Sequence, residues 1–570
     1  MDGGATNNIG GTLTITGGTA GDVTNSGTGS TAGVINLLTN NNGTFANSGT
    51  VTTTTTVGGG TVTNTGGTLT GATTVSGGTL DVDSGTVAAV IVNSGAIDAD
   101  GGAIASLDVN GGTLNSVGAG SSVANSTTVD GSTLAQEGAT LADVTVGNGG
   151  IFNASSGTAT TVQGTGTSDI NLSGDTSVTT LDLDGGTGHT IAGTAAVTGA
   201  TTIDNATLTQ SGGSLNTVTL GAGGQYTVTG SSTVNGLIDN NAGALTVNAG
   251  QTLTANGGLN VDNGASATIN GTVNLAGPST IDDAVSGTGL LNVTAGTTTI
   301  DTNGDVSTPM SVAGTGTVLH DGMVAGVTNA GNFTNNGTAG DVGNSGTFNN
   351  SGGTGAVTNS GTFGNTGTVA SLINSGGEFT NTAGTITGTA SVTGGTLDMD
   401  GGTAGATTNS GGILELSGGA VMASLTQSGG ALTTIDGPAT VNGLTAINTG
   451  NLDVQSGQTL TATGGVTMAG GTGLFLPGTI AGDVSSAGTI IANAPSSEVT
   501  GNLTSTGQLS LSGSSANTLT VGGDAVLGGN ITIDAGPGAV VSGLDVTGNI
   551  TGNVALTLGA NAGATSLDNA

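Results

Sequence analysis

Residues 75–151 read VSGGTLDVDSGTVAAVIVNSGAIDADGGAIASLDVNGGTLNSVGAGSSVANSTTVDGSTLAQEGATLADVTVGNGGI, and the spacing of their aliphatic side chains decides the fold. One column runs Val75, Val92, Val109, Val129 and Val146, in steps of 17, 17, 20 and 17 residues. A second column, Leu80, Ile97, Leu114, Leu134 and Ile151, keeps the same steps, and a third, Val87, Ile104, Ala124 and Leu141, moves with them. Turn formers lie between the first two columns, as in Val109-Asn110-Gly111-Gly112 and Val129-Asp130-Gly131-Ser132. Three apolar columns per repeat describe three short strands. Each is too short to pair within its own repeat, so its backbone groups must be met by the repeats above and below. The reading is all-β: a right-handed parallel β-helix (β-solenoid), roughly triangular in section. Alternation inside the strands agrees, since Leu80-Asp81-Val82-Asp83, Ile97-Asp98-Ala99-Asp100 and Leu397-Asp398-Met399-Asp400 put aliphatics on one face and carboxylates on the other.

A second block has a tighter step. Val327, Val342, Val357 and Leu372 form one column, Asn329, Asn344, Asn359 and Asn374 another, and Phe333, Phe348, Phe363 and Phe379 a third, with steps of 15 and one of 16. The Asn column predicts a ladder of stacked amides at a turn, and the Phe column a stack of rings in the core. A longer repeat is also present. Val234-Asn235-Gly236-Leu237 recurs as Val441-Asn442-Gly443-Leu444, and Gly250-Gln251-Thr252-Leu253 as Gly457-Gln458-Thr459-Leu460, both 207 residues on. Residues 201–300 are thus related to 418–507, and no Pro-rich or charged linker separates the copies. The expectation is one continuous solenoid over residues 1–570. At 15 to 20 residues per coil it would make about 30–38 short coils.

Composition narrows the function. The chain has 35 acidic residues, no Lys or Arg, and a formal net charge of -35, yet charged residues are only 6% of it. Salt bridges can involve only the terminal amine, His189 or His320. Phosphate neutralisation needs Lys or Arg, so nucleic-acid binding is not expected, and neither is binding to an anionic membrane surface. No stretch is long and apolar enough for a membrane helix, and one Tyr, seven Phe and no Trp supply no aromatic girdle, so membrane insertion by this chain is not expected. With no Cys there is neither a disulfide nor thiolate chemistry. Met1-Asp2-Gly3-Gly4 has no basic or apolar leader pattern, so an export signal is expected outside this chain.

Catalysis finds little support. Solenoid lyases rely on Arg or Lys, and none is present. Asp282-Asp283 and Gly188-His189 resemble parts of a polysaccharide hydrolase site, but in reverse order and without its basic motif; a turn pair of Asp and a solvent-exposed His is the plainer reading. No enzyme, catalytic residue or cofactor-binding residue is expected. Oxygen ligands at Asp81, Asp83, Asp98 and Asp100 would suit calcium, the one cofactor considered. Tyr226 is the only polar aromatic on which a sugar could stack. Thr pairs such as Thr252/Thr254 and Thr459/Thr461 do not recur at every coil, as an ice-ordering array would need.

The repeats of the form Val-Asn-x-Gly-(Gly)-x-Leu, alternating with Gly-Gly-x-Ala turns, resemble the β-helical passenger domains of bacterial autotransporter adhesins of the diffuse-adherence and haemagglutinin type. The resemblance is strongest over Val75–Ile151 and Val327–Thr396 and looser elsewhere, and the coils here are shorter than many in that family. It implies a chain secreted through an outer-membrane translocator barrel lying outside this sequence and displayed on the bacterial cell surface. It implies adhesion, self-aggregation or biofilm formation, with the chain itself or a host or neighbouring cell surface as partner. The alternatives are a passive spacer or surface-layer protein without its own ligand and, more distantly, a polysaccharide-active β-helix enzyme.

Overall fold

In the computed structural model, residues 4–8, 10–513, 517–535, 542–558 and 565–569 are described. Among them every regular element is a strand, the described strand pairs are parallel, and the chain winds through about 29 short coils. The chain divides into two units. One comprises Met1–Asn292, Gly296–Thr298 and Asn303–Thr308; the other comprises Val293–Ala295, Thr299–Thr302 and Pro309–Ala570.

The second unit shows the coil plan most simply. Ala439–Val441 pairs with Thr459–Ala462, Thr445–Ile447 with Val466–Met468, and Asn451–Val454 with Gly473–Phe475. Each strand therefore meets the third strand after it, which makes three strands per coil. In the first unit the sides run together: Thr73–Ala99 is one strand of 27 residues that bends at Gly85 and Gly95. Both glycines have φ near +90°, a region closed to most side chains. Between Asn329 and Asn344 the coil is 15 residues, between Asn235 and Asn256 it is 21, and between Asp524 and Asn549 it is 25. The longer coils bring the count just below the range expected from the sequence. Extra residues enter at turns and also within paired strands, as where Ile104 pairs with Val123 but Leu107 with Thr127, and pairing resumes beyond the shift.

The first aliphatic column stands as read: Val92 pairs with Val109, Val109 with Val129 and Val129 with Val146, all fully buried. The second is corrected at two positions. Ile97 pairs with Asn115 and Leu134 with Phe152; both partners are buried, while Leu114 is 76% exposed and Ile151 only partly covered. In the third column Ile104 pairs with Val123, and Ala124 faces solvent. Each correction is a slip of one residue, which moves a side chain to the opposite face of a strand. Asn115 holds its inward place because its amide is satisfied. It accepts from the Ile97 N–H and donates to Ser132 Oγ and the Thr133 carbonyl.

At the Phe column, ring centroids of Phe333, Phe348, Phe363 and Phe379 lie 4.8, 4.8 and 4.7 Å apart, with interplanar angles of 2°, 7° and 10°. The spacing is the strand separation of a sheet, so side-chain stacking and backbone pairing share one repeat. The small angles mean that successive coils there stack almost without twist.

Candidate functional surface

Two internal amide ladders flank the Phe stack. In the first, Asn329 Nδ2 donates to Asn344 Oδ1 at 2.8 Å, Asn344 to Asn359 at 2.8 Å and Asn359 to Asn374 at 2.9 Å. The remaining groups bond to backbone, as in Asn329 with the Gly331 N–H and the Thr347 carbonyl. The second ladder, Asn335, Asn350, Asn365 and Asn381, has links of 2.7, 2.8 and 2.7 Å and escaped the sequence reading. Its signal was present: an Asn stands two residues after each Phe of the column. A third runs from Asn8 through Asn25 to Asn40. These ladders bond each coil to the next along the axis, and the outward residues beside them share the same spacing.

Outside the Phe stack lies a shallow axial furrow, lined by Thr334, Asn336, Asn349, Asn350, Ser351, Gly364, Asn365, Thr366 and Thr382. The lining carries no charge. Asn336 donates to Asp321 Oδ1 at 2.8 Å, and Ser351 Oγ donates to Asn336 Oδ1 at 2.6 Å. Between Asp321 and Glu378 the chain has one acidic residue, Asp341, whose carboxylate accepts the Ala356 N–H. Two similar furrows occur elsewhere, one lined by residues that include Thr467, Ser485 and Thr504, the other by residues that include Thr252, Asn270 and Thr288.

Carboxylates gather in other coils, and the outward column of Thr334, Asn349 and Gly364 itself continues through Thr380 to Asp398 and Glu415. Asp81 lies near Asp83 and Asp98; burial first, then the charge of Asp83, pushes its carboxyl above the usual range. Asp98 accepts from Ser116 Oγ at 2.7 Å, and both Asp98 and Asp100 are exposed. Among the described residues, no group of three or more His, Asp or Glu is arranged to hold a metal ion. Asp262, beside Asp239 and Asp282, and Asp398, beside Glu415, Asp400 and Glu378, are likewise raised, in both cases chiefly by burial. Asp283 serves a turn, accepting the Gly264 and Ala284 N–H groups at 2.7 Å each.

Both histidines are buried, which corrects the expectation of a solvent-exposed His189. His189 Nδ1 accepts the Ile170 N–H at 3.1 Å, and Nε2 lies 2.8 Å from the Gly185 carbonyl. His320 heads the second ladder, its Nδ1 2.6 Å from Asn335 Oδ1 and its ring 5.8 Å from that of Phe333. Burial lowers the pKa of both imidazoles. Tyr226 is buried too and donates to Gln210 Oε1, so it offers no exposed stacking platform. Burial raises its phenol far above the ordinary value.

The chain matches no protein-family model, no curated protein and no solved structure. The fold rests on its own strand pairing.

Proposed function

We propose that this chain is a non-enzymatic, surface-displayed adhesive or self-associating fibre of a bacterial cell, comparable in role to the passenger of an autotransporter adhesin. The observation that carries the reading is the uncharged face over the Phe stack. Thr334, Asn336, Asn349, Ser351 and Thr366 repeat donors and acceptors along the axis at the spacing of the coils. In a chain of charge -35 with no cation, a contact between two copies, or with another anionic surface, is least opposed where carboxylates are sparse. Individual contacts of this kind are weak, and repetition along a fibre makes them additive through avidity.

The test is clustering of beads coated with the 570-residue chain, in calcium and in chelator. Clustering in both conditions supports adhesion through the neutral faces. Clustering in calcium alone moves the contact to the carboxylate faces around Asp81, Asp83, Asp98 and Asp100. No clustering in either condition removes self-association, and a spacer without its own ligand becomes the better account.

A further inference from the structure

A recurring exchange of backbone for side chain marks three places in the first unit. The N–H of an inward aliphatic residue is met by a polar side chain one coil on. Ile97 donates to Asn115 Oδ1 at 3.3 Å, Leu259 to Ser279 Oγ at 3.0 Å and Ile170 to His189 Nδ1 at 3.1 Å. All three acceptors are buried. An amide or hydroxyl oxygen keeps its lone pairs at any ordinary pH. An imidazole nitrogen does not, because a proton on Nδ1 turns the acceptor into a donor.

The partners of His189 set its tautomer. The Ile170 N–H can only donate, so Nδ1 must be bare, and Nε2 must carry the hydrogen that reaches the Gly185 carbonyl at 2.8 Å. Glycines make room for the ring. A Cβ on Gly164 would lie 3.0 Å from His189 Cε1, and one on Gly186 would lie 2.5 Å from Nε2. Of the elements packed on the imidazole, the strand Asp169–Gly185 brings one carboxylate that acts on it, Asp169, while Asp184 on the same strand is exposed. The strands Ile151–Gly166 and Thr207–Gln210 carry no titratable side chain. Because the chain has no Lys or Arg, the only side chains on which acid can place a positive charge are its two buried histidines.

We propose that His189 is a proton-operated latch. A proton taken from solvent onto Nδ1 removes the acceptor of the Ile170 amide, sets two donors face to face, and opens the coil at Gly185–His189. Neutral pH closes it again. Asn115 and Ser279 hold the equivalent bonds at Ile97 and Leu259 without this sensitivity.

The test is amide hydrogen exchange, corrected for its intrinsic pH dependence, from pH 7.5 down to 5. Ile170 is expected to lose protection about tenfold per pH unit once the pH falls below the ordinary imidazole value near 6.5, as opening coupled to one proton requires. Ile97 and Leu259 should hold theirs. In His189→Asn, which places at this position the residue that performs the same role beside Ile97, the protection of Ile170 should not depend on pH. A protection of Ile170 that is flat in the wild-type chain, or falls equally in His189→Asn, overturns the proposal. If that variant does not fold, the wild-type chain decides alone: parallel loss at Ile97, Leu259 and Ile170 overturns the latch, and loss confined to Ile170 supports it.

Discussion

Thr127, Thr201 and Thr445 stand in aliphatic columns, between Leu107 and Val144, Leu181 and Val218, and Leu425 and Val466. Their hydroxyls are buried without a hydrogen-bond partner. Valine has the same shape and no hydroxyl to desolvate, so Thr201→Val and Thr445→Val should each stabilise by about 1 kcal/mol, read as a higher urea midpoint. The opposite holds in the ladders. Asn350→Leu would leave one of the two Asn335 Nδ2 hydrogens and the Asn365 Oδ1 without their ladder partners, at a cost of about 1–3 kcal/mol. An unchanged midpoint in that variant would mean that the ladder adds nothing to stability. At this scale the sequence was legible wherever residue type and step agreed, as for Phe333 to Phe379. It misled at Leu114, Ile151 and Ala124, because an aliphatic residue next to the true inward position looks the same in a list of spacings. Nothing in the sequence alone marks Asn115 as buried, since that depends on partners such as Ile97 and Ser132, which the coil brings to it from neighbouring turns.

A coil is the unit in which this chain tolerates change. Thr338 pairs with Gly353, Val342 with Val357 and Phe348 with Phe363. Removing the 15 residues 338–352 therefore places each following residue where its equivalent stood. The shortened chain should keep its parallel β signature and a urea midpoint close to that of the parent. Removing only 338–344 takes out one strand and leaves about half a coil between Phe333 and Phe348, too short to return each column to its own face, and should unfold the segment. Circular dichroism and urea titration of the two deletions separate these outcomes; equal behaviour would contradict the register described here. The three-strand plan was readable because turn formers punctuate it. Coil length was less so, since turns and shifts within the strands both take up extra residues before the pairing resumes.

Charge acts on the chain as a whole, and its pH dependence has two signs. His189 and His320 have pKa values lowered by burial, so the unfolded chain binds protons that the folded chain refuses. Their contribution to stability is complete above the ordinary imidazole pKa of about 6.5 and is lost as the pH falls towards the folded value. Asp81, Asp262, Asp398 and Asp453 are raised, so the folded chain takes up their protons first and gains stability as the pH falls through their range. Stability should therefore fall between about pH 7 and 5 and recover in part as the carboxylates protonate at about pH 4. Denaturant midpoints across this range check it, and a steady rise from pH 7 downwards would contradict it. Composition made the absence of cations legible, and with it the dependence of any contact on screening. It did not show that the stretch poor in carboxylates between Asp321 and Glu378 is also the one that holds the Phe stack and its furrow, because that follows from the pairing of the coils. The most direct measurement is clustering of beads coated with the chain as salt is raised. Screening should weaken the repulsion between chains of charge -35 while leaving the neutral contacts in place, so clustering should grow with salt and survive chelation. Beads that stay dispersed at every salt concentration would contradict the self-associating reading.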